Sequence, residues 1–402
     1  MRDDTEQGAS QAHIRQHNRV LALAAVAQHG RLTRAALSDS MRLTKPAVSR
    51  IATELITAGL LTETAAEASS RRGRPTTYLT LSTGRHLFVA VDVRVDGLLV
   101  QARDLSGAVL AESRHALPRT LGADRSVELI SGQIEALCTD LGRRPDGIGL
   151  AVGAGVDPAG RMITSSPYRP WRDVPLPELI KERLGYDPGP VAMRDVSTCA
   201  ALGNWQEIAA DPLVTSLAHI QIGIGAGGGL VRRGATLPRV SSLTISHLPM
   251  QADGPPCACG ARGCLDAVAG FDALVRHAEP TGLRPRQGAR MLERYCAALL
   301  RLADDGDPAA RRAITETAGW FARAAAMVIN IVRPDRITYG GYPLLLGPLF
   351  RERFLAVAGD HAPAVSTQLT ETRVGDGASV TGAFWLALGE FLAEPFPVGT
   401  LA

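Results

Sequence analysis

Residues 247–266 read His-Leu-Pro-Met-Gln-Ala-Asp-Gly-Pro-Pro-Cys-Ala-Cys-Gly-Ala-Arg-Gly-Cys-Leu-Asp, with three thiols spaced C-x-C-x4-C. Gly260 and Gly263 lie between the cysteines and permit backbone turns that a Cβ would obstruct, so the thiols can converge. His247 can add a fourth ligand to Cys257, Cys259 and Cys264. A closed set of three thiolates and one imidazole is typical of structural zinc.

The alternative for this stretch is a Gly/Pro loop whose small residues are incidental or form a disulfide. The polar start of the chain, Met-Arg-Asp-Asp-Thr-Glu-Gln, does not read as a secretory signal. Thiol clusters in reducing compartments bind metal more often than they form disulfides. We therefore predict one structural Zn²⁺ per chain.

The segment Cys-Ala-Cys-Gly-Ala-Arg-Gly-Cys-Leu-Asp at 257–266 resembles the C-x-C-G-x-x-G-C-[LI]-[ED] signature of the ROK family. This family groups bacterial repressors with sugar kinases, and the resemblance extends over about residues 10–390. It implies an α/β protein: an N-terminal winged helix-turn-helix followed by a duplicated actin-like (hexokinase/ribonuclease H-like) ATPase-type domain.

The composition fits an ordinary globular protein of two or three domains, with 402 residues, 46% apolar and 21% charged. No apolar run reaches the roughly 18 residues that a membrane span needs, and we expect a cytoplasmic protein without membrane contact. Residues 1–85 carry 12 Lys/Arg against 7 Asp/Glu, whereas the remainder carries 31 against 33. The positive excess is therefore confined to the N-terminal fifth, which favours nucleic-acid binding there.

The N-terminal pattern predicts three helices, over 11–29, Arg34–Met41 and Lys45–Ala58. Thr33 and Thr44 are candidate N-caps for the second and third helices. A short turn between these two gives a helix-turn-helix, whose second helix would enter the major groove with its N-terminal residues. The predicted contacts on that helix are Lys45, Ala47, Ser49 and Arg50.

A short strand after residues 59–61 and a second strand over 77–81 predict a wing with a basic tip. Arg71, Arg72 and Arg74 in this tip would reach phosphates or a narrow minor groove. The predicted DNA-binding domain spans residues 10–82. The alternative is a three-helix bundle that contacts protein and carries a solvated basic loop.

Residues 86–392 alternate apolar strand runs with helical stretches. Strands are predicted over 87–93, over the hairpin 97–104 with 109–111, and over 147–152; helices are predicted over 126–141 and 320–332. A second half begins near residues 219–223. The order β-β-β-α-β-α, occurring twice, resembles the duplicated fold of the family. The predicted effector domain is 86–392, with its zinc loop at 247–266.

The phosphate side of the cleft departs from the family. Where kinases carry D-x-G-G-T, this chain has Asp-Val-Arg-Val-Asp at 92–96, and bulky Arg94 and Val95 would block a triphosphate. The second Gly-rich turn, 223–229, keeps most of its glycines, although a tight β-hairpin would also use them. We therefore expect no kinase activity.

The sugar side is also altered. Family kinases present Asn-Asp, where this chain has Arg194-Asp195. Asp195 could act as the family's general base or cap the following helix, and the two roles are compatible. Thr244 replaces the family's sugar-binding Glu and Pro167 its Asn, and Asp266 stands where Glu is usual. The predicted effector contacts are Arg194, Asp195, His247 and Asp266, and Arg194 suggests an anionic ligand.

These features together predict a ROK-type transcriptional regulator of carbohydrate metabolism or transport genes, and they favour a repressor over an activator. As a homodimer or dimer of dimers it would bind a double-stranded DNA operator, and a sugar or sugar derivative would control it. One alternative is an ATP-dependent sugar kinase with a DNA-binding arm. Another is a repressor with a vestigial pocket, controlled by a protein partner.

Overall fold

The computed structural model describes residues 11–65, 76–94, 97–234, 237–286, 290–362, 367–372 and 374–393. The N-terminal elements are α1 (Gln11–His29), α2 (Arg34–Met41), α3 (Lys45–Thr57), β1 (Leu61–Ala65) and β2 (Thr77–Leu81). The next group comprises β3 (Leu87–Val93), β4 (Leu98–Asp104), β5 (Val109–His115), α4 (Ala123–Asp140), β6 (Gly147–Val152), β7 (Gly155–Val156), β8 (Ile163–Ser165), β9 (Arg172–Val174), α5 (Leu176–Leu184), β10 (Val191–Asp195) and α6 (Val196–Ile208).

The second half comprises β11 (Ser216–Ile222), β12 (Ala226–Arg232), β13 (Arg239–Leu243), α7 (Leu265–Ala269), α8 (Phe271–His277), α9 (Met291–Asp304), α10 (Pro308–Val332), β14 (Arg336–Gly341), α11 (Gly347–His361), β15 (Gln368–Glu371) and α12 (Ala378–Ala393). A 3₁₀ turn over Ile245–His247 precedes the cysteine loop. Among the described residues, no helix is both long and apolar enough to cross a bilayer.

The N-terminal elements form a helix-turn-helix followed by a wing. The Thr33 hydroxyl accepts a hydrogen bond from the Ala36 N–H (3.1 Å) and caps α2, as predicted. Thr44 occupies the N-cap position of α3 and Pro46 lies in its first turn, as predicted, but the Thr44 side chain makes no capping hydrogen bond. Strands β1 and β2 pair antiparallel, and a bridge between Leu32 and Leu79 extends the wing.

The two halves of the large domain repeat one sheet topology. The first sheet runs β5-β4-β3-β6-β10 and the second runs β13-β12-β11-β14-β15. In both, three antiparallel strands are followed by two parallel ones. The predicted β-β-β-α-β-α order is therefore confirmed, and each half continues with a fifth strand and a helix, α6 or α12.

These two helices lie between the sheets and cross each other at glycines. An added Cβ would lie 1.7 Å from the Cys199 carbonyl oxygen at Gly382 and 2.2 Å from the Ala378 carbonyl oxygen at Gly203. At Gly149 of β6 it would lie 1.8 Å from the Ala383 carbonyl oxygen. Helix backbones therefore pack directly against each other and against the first sheet, as only glycine permits.

Gly382→Ala is expected to destabilise the protein by about 3 kcal/mol, because the new methyl meets backbone that cannot move independently. Gly389→Ala is the matched control in the same helix, since its methyl would meet only the Leu237 Cδ1 atom at 3.9 Å. There the gain in helix propensity should leave stability unchanged or raise it by up to about 1 kcal/mol. Urea denaturation checks both variants, and equal losses would contradict the proposed close crossing.

Helix α12 also carries the contact between the two domains. Its last turn packs in one hydrophobic cluster with the N-terminal helices, and the Gln16 side-chain amide donates to the Leu392 carbonyl (3.3 Å). Phe391 lies against His86 and Phe88, with both ring centroids 5.3 Å away. At its other end, the Ser379 hydroxyl donates to Asp92 Oδ2 (2.6 Å). One helix thus touches both the cleft and the winged domain.

His219 lies fully buried on β11 in a polar network. Its Nδ1 is 2.9 Å from Thr338 Oγ1, and its Nε2 is 3.0 Å from Gln221 Oε1. Burial lowers the pKa of His219 to about 4. Since this folded-state pKa lies below the unfolded value of about 6.5, stability is fully present above that value and is lost as the pH falls between the two.

His219→Gln should remove this part of the pH dependence. For the wild type it amounts to about 2 kcal/mol of unfolding free energy between about pH 7 and pH 5. Denaturant unfolding at both pH values measures it, and exposed His361→Gln serves as the control. An unchanged slope in His219→Gln would show that other groups cause the acid sensitivity.

Candidate functional site

The cysteine loop brings four ligand atoms together. The Sγ atoms of Cys257, Cys259 and Cys264 and a ring nitrogen of His247 all lie within 4.8 Å of one another. The Cys259 Sγ to Cys264 Sγ distance is 3.7 Å, and His247 Nδ1 is 3.7 Å from Cys257 Sγ. Zn–S bonds of about 2.3 Å and Zn–N bonds of about 2.0 Å at tetrahedral angles place such pairs about 3.5–3.8 Å apart. The donor set and its spacing therefore fit a structural zinc.

Backbone hydrogen bonds shape this loop. Met250 N–H donates to the Gly263 carbonyl (2.9 Å), and Cys257 N–H donates to the Ala261 carbonyl (2.8 Å). Gly260 and Gly263 take φ values of +91° and +64°, the left-handed region that glycine tolerates. A Cβ at Gly263 would lie 1.7 Å from the Gln251 carbonyl oxygen. The two glycines singled out in the sequence are thus required by the turn geometry.

Asp266 follows the loop directly and faces the glycine-rich turn. Its Oδ1 accepts from the Ala226 N–H (2.9 Å). Burial raises the pKa of Asp266, and this hydrogen bond and nearby His247 oppose the shift. Cys264 occupies the N-cap position of α7, two residues before Asp266, without a side-chain capping bond. The cysteine loop therefore positions a carboxylate against the turn between β11 and β12.

The glycine-rich segment serves packing. Its turn is Gly223–Gly225, closed by a hydrogen bond from Gly223 N–H to the Gly225 carbonyl (2.8 Å), while Gly227–Gly229 lie within β12. A Cβ at Gly227 would lie 2.2 Å from Ser197 Oγ, and one at Gly229 would lie 2.7 Å from Ala201 Cβ. The segment therefore forms a tight β-hairpin, the alternative given by the sequence, and α6 packs on the hairpin's glycines.

Asp195 caps α6. Its Oδ1 accepts from the N–H groups of Ser197 and Thr198 (both 3.0 Å), and its Oδ2 accepts from the Thr198 hydroxyl (2.6 Å). Ser197 touches Gly227, beside the residue that donates to Asp266. Asp195 therefore fixes the start of the helix that packs on the glycine-rich segment.

Arg194 is directed elsewhere. Its NH1 donates to the Met193 carbonyl (2.7 Å), and a Cβ at Gly160 would lie 1.8 Å from that nitrogen. Within the described residues, the Arg194 guanidinium makes no hydrogen bond or ion pair with His247 or Asp266. An anionic ligand therefore gains no geometric support from this guanidinium.

The phosphate side is closed by an ion pair. Buried Asp92 accepts at Oδ2 from Arg94 Nε (2.8 Å) as well as from Ser379. Arg94 thus occupies one oxygen of the carboxylate near the end of the opening strand, while Asp92 Oδ1 has no hydrogen-bond partner among the described residues. Val95 and Asp96, named with it in the sequence, lie outside the described residues.

One cleft residue was missed by sequence reasoning. The position assigned to Pro167 is exposed, and its neighbour Tyr168 is the residue that reaches the glycine-rich turn: a Cβ at Gly225 would lie 2.0 Å from the Tyr168 hydroxyl. The aromatic residue three positions before Trp171 was the signal in the sequence that could have indicated it.

The candidate DNA-reading helix presents its polar face outward. Lys45, Ser49 and Arg50 of α3 are exposed and Ala47 is half-buried, while Val48, Ile51, Ala52 and Leu55 form its buried face. The Ser49 hydroxyl accepts from Arg34 NH1 (3.0 Å), so it is already engaged. Arg34 also pairs with Glu63 of the wing (2.8 Å). Arg71, Arg72 and Arg74 lie outside the described residues.

Together these features define a winged helix-turn-helix protein whose second domain is a duplicated actin-like fold with a Cys3His loop. The ROK family profile matches residues 88–390, and a MarR family profile matches residues 16–72. The chain belongs to the ROK family.

Comparison with known proteins gives both regulators and kinases. A crystal structure of a ROK family transcriptional regulator, a homologue of the E. coli Mlc protein, superposes with a TM-score of 0.75 and 23% identity, covering 94% of this chain and 98% of that one. The ROK hexokinase from Thermus thermophilus gives a TM-score of 0.63 and 26% identity, covering 76% of this chain and 98% of its own. The xylose repressor of Bacillus spizizenii (strain ATCC 23059 / NRRL B-14472 / W23) is 25% identical over 67% of this chain and 69% of its own length.

Proposed function

We propose that this protein is a sugar-responsive transcriptional regulator, most simply a repressor, of genes for carbohydrate metabolism or transport. The winged domain, residues 10–82, would bind an operator, and the actin-like domain, residues 86–392, would bind the effector. The observation that carries the proposal is the contrast within one cleft. Asp266 lies against the glycine-rich turn on the sugar side, where Asp195 and His247 are also retained in the sequence, whereas Asp92 Oδ2 on the phosphate side is engaged by Arg94 and Ser379.

The ion pair between Arg94 and Asp92 Oδ2 argues against the kinase alternative. A nucleotide triphosphate needs an acidic group free for its metal and glycines that let the backbone approach the phosphates. Here Asp92 Oδ2 accepts from a guanidinium and a hydroxyl, Oδ1 is buried without a hydrogen-bond partner among the described residues, and the chain has an arginine where a kinase would have glycine. Phosphate transfer would require breaking an ion pair whose carboxylate is buried.

The DNA-binding part rests on free positive charge at the helix that would enter the groove. Lys45 and Arg50 make no recorded hydrogen bond or ion pair with any described residue, so their charges are available to DNA. A two-fold operator would require a homodimer or a dimer of dimers, because paired recognition helices read half-sites one helical turn apart.

The cysteine loop, residues 247–266, would hold one Zn²⁺ through His247, Cys257, Cys259 and Cys264. A bound zinc supplies a rigid tetrahedral cross-link. His247 Nδ1 faces Cys257, which leaves its Nε2 available to the cleft. Asp266 would then be placed for the effector by the same cross-link that holds the loop.

Selection of genomic fragments by the purified protein, followed by footprinting, tests the function. We expect a short site with two-fold symmetry and a change in affinity on adding a sugar. ATP turnover with the same sugars, without specific DNA binding, would support the kinase alternative. Specific DNA binding that no sugar alters would support control by a protein partner.

A further inference from the structure

The turn between α2 and α3 carries an arginine in a backbone conformation that suits glycine. Arg42 ends α2 with φ +52° and ψ +37°, in the left-handed region. Its N–H donates to the Asp39 carbonyl (3.3 Å), and the Leu43 N–H donates to the Ser38 carbonyl (3.2 Å), the two bonds of a Schellman motif. The Ser38 hydroxyl also donates to the Leu43 carbonyl (2.6 Å). The turn therefore fixes this backbone geometry, in which an L side chain is strained.

The strain alone assigns no role to Arg42. Arg333 ends α10 with φ +50° and is also exposed, but it lies in the other domain. The position of the charge distinguishes the two arginines. Arg42 precedes Lys45 by three residues, so their Cα atoms are at most about 11 Å apart at 3.8 Å per residue. Its exposed side chain therefore belongs to the part of the helix-turn-helix that would meet DNA.

The cations earlier in the winged domain are held by other side chains: Arg15 and Arg19 by Glu54, Arg34 by Glu63, and Arg31 by the Tyr78 ring. The cations of this domain for which the described residues provide no recorded hydrogen bond, ion pair or ring contact are Arg42, Lys45, Arg50 and Arg85. The first three lie together on the turn and on α3, and all are exposed. The available positive charge of the helix-turn-helix is thus concentrated on residues 42–50.

We propose that Arg42 is a further DNA contact, whose guanidinium binds a backbone phosphate beside the groove that α3 enters. This inference rests on the proposed function and adds to it a residue and a type of contact. A phosphate is favoured over a base because Arg42 stands on the turn, outside the helix that would read base edges, and phosphate contacts position such a helix on the duplex. Glycine at this position would relieve the strain but supply no charge, so the arginine lowers the stability of the turn and serves binding.

The test is fluorescence anisotropy of the full-length protein with two labelled duplexes, one of mixed sequence and one taken from the selected genomic fragment. Arg42→Gln keeps a long side chain without the charge, so both Kd values should rise about tenfold and the salt dependence should lose about one phosphate contact. Arg42→Lys keeps a charge that can reach a phosphate and should bind within about threefold of the wild type. Arg333→Gln removes the same charge from the same backbone conformation in the other domain, so this matched control should bind as the wild type.

Thermal unfolding separates this role from a structural one. Arg42→Gly relieves the left-handed strain, so the unfolding midpoint should stay unchanged or rise by about 2 °C. Both Kd values should nevertheless rise about tenfold, as in Arg42→Gln. A midpoint that falls together with the affinity for DNA would assign Arg42 to the stability of the turn and overturn the inference.

The two proposals fail in different ways. If Arg42→Gln binds both duplexes within about twofold of the wild type, or if Arg333→Gln loses as much affinity, the inference is overturned while specific binding by the wild type upholds the proposed function. A loss confined to the genomic duplex would indicate a base contact and overturn the phosphate contact. If the wild type binds neither duplex, the inference and the proposed function fail together.

Discussion

Cys259→Ala is expected to lose the metal and to lower the free energy of unfolding by about 4 kcal/mol, the linkage for a site filled at a thousandfold excess over its Kd. The size of this effect would be unusual for its location. Cys259 is exposed, and surface substitutions usually change stability by within about 0.5 kcal/mol. A large loss would therefore report the metal cross-link and not packing.

Elemental analysis and thermal unfolding with and without a chelator measure this prediction. The wild type should carry about one zinc per chain and be destabilised by the chelator, whereas Cys259→Ala should carry none and be insensitive. Exposed Ala258→Ser, one residue away, should keep the zinc and the stability. Metal-free wild-type protein that is fully folded and unaffected by the chelator would refute the zinc site.

Lys45→Ala combined with Arg50→Ala should weaken operator binding about a hundredfold, which corresponds to about 3 kcal/mol shared by two groove contacts. Both side chains are exposed on α3 and unengaged within the described structure, so their loss should leave folding intact. If they read bases, discrimination between operator and random DNA should fall. If they contact phosphates, both affinities should fall together and the salt dependence should become shallower.

Arg183→Ala is the matched control for this pair, because Arg183 is an equally exposed arginine at the end of α5. It removes the same type of charge from the other domain. Fluorescence anisotropy with labelled operator and random duplexes at several salt concentrations gives all the quantities needed. If Arg183→Ala and the double variant lost the same operator affinity, the effect would be one of net charge alone. The prediction that α3 contacts DNA would then be wrong.

Local chemistry made part of this molecule predictable. The limits of α1 and α2 and the strand 147–152 follow from apolar spacing and from Thr33, and they agree with the structure. The thiol spacing and its two glycines also predicted the convergence of Cys257, Cys259 and Cys264. In these cases the residues that determine the structure are close in sequence, so their spacing is sufficient to predict the local geometry.

Contacts between distant segments were not predictable in this way. The sequence predicted Arg94 only as a steric block to a triphosphate. Its hydrogen bond to Asp92 is completed by Ser379 from the other end of the chain, so this arrangement depends on how α12 returns to the first sheet. Tyr168 was missed because the loop register is set by Arg169 binding backbone carbonyls near residues 117–118. The helix predicted over 320–332 is the last part of α10, which begins at Pro308 behind an Asp307 cap.

Helix α12 has a mechanical consequence for any movement of the cleft. A helix is stiff, and the segment from Ser379 to Leu392 is about 20 Å long at 1.5 Å per residue. The arm from the crossing at Gly382 to Leu392 is about 15 Å, so a tilt of about 5° about that crossing would displace the far end by about 1.3 Å, within the range of helix shifts in allosteric proteins. Because Gly382 brings α12 directly onto the α6 backbone, α12 would pivot at that crossing. A rigid-body tilt of α12 would then transmit a change at Asp92 to the helices of the winged domain.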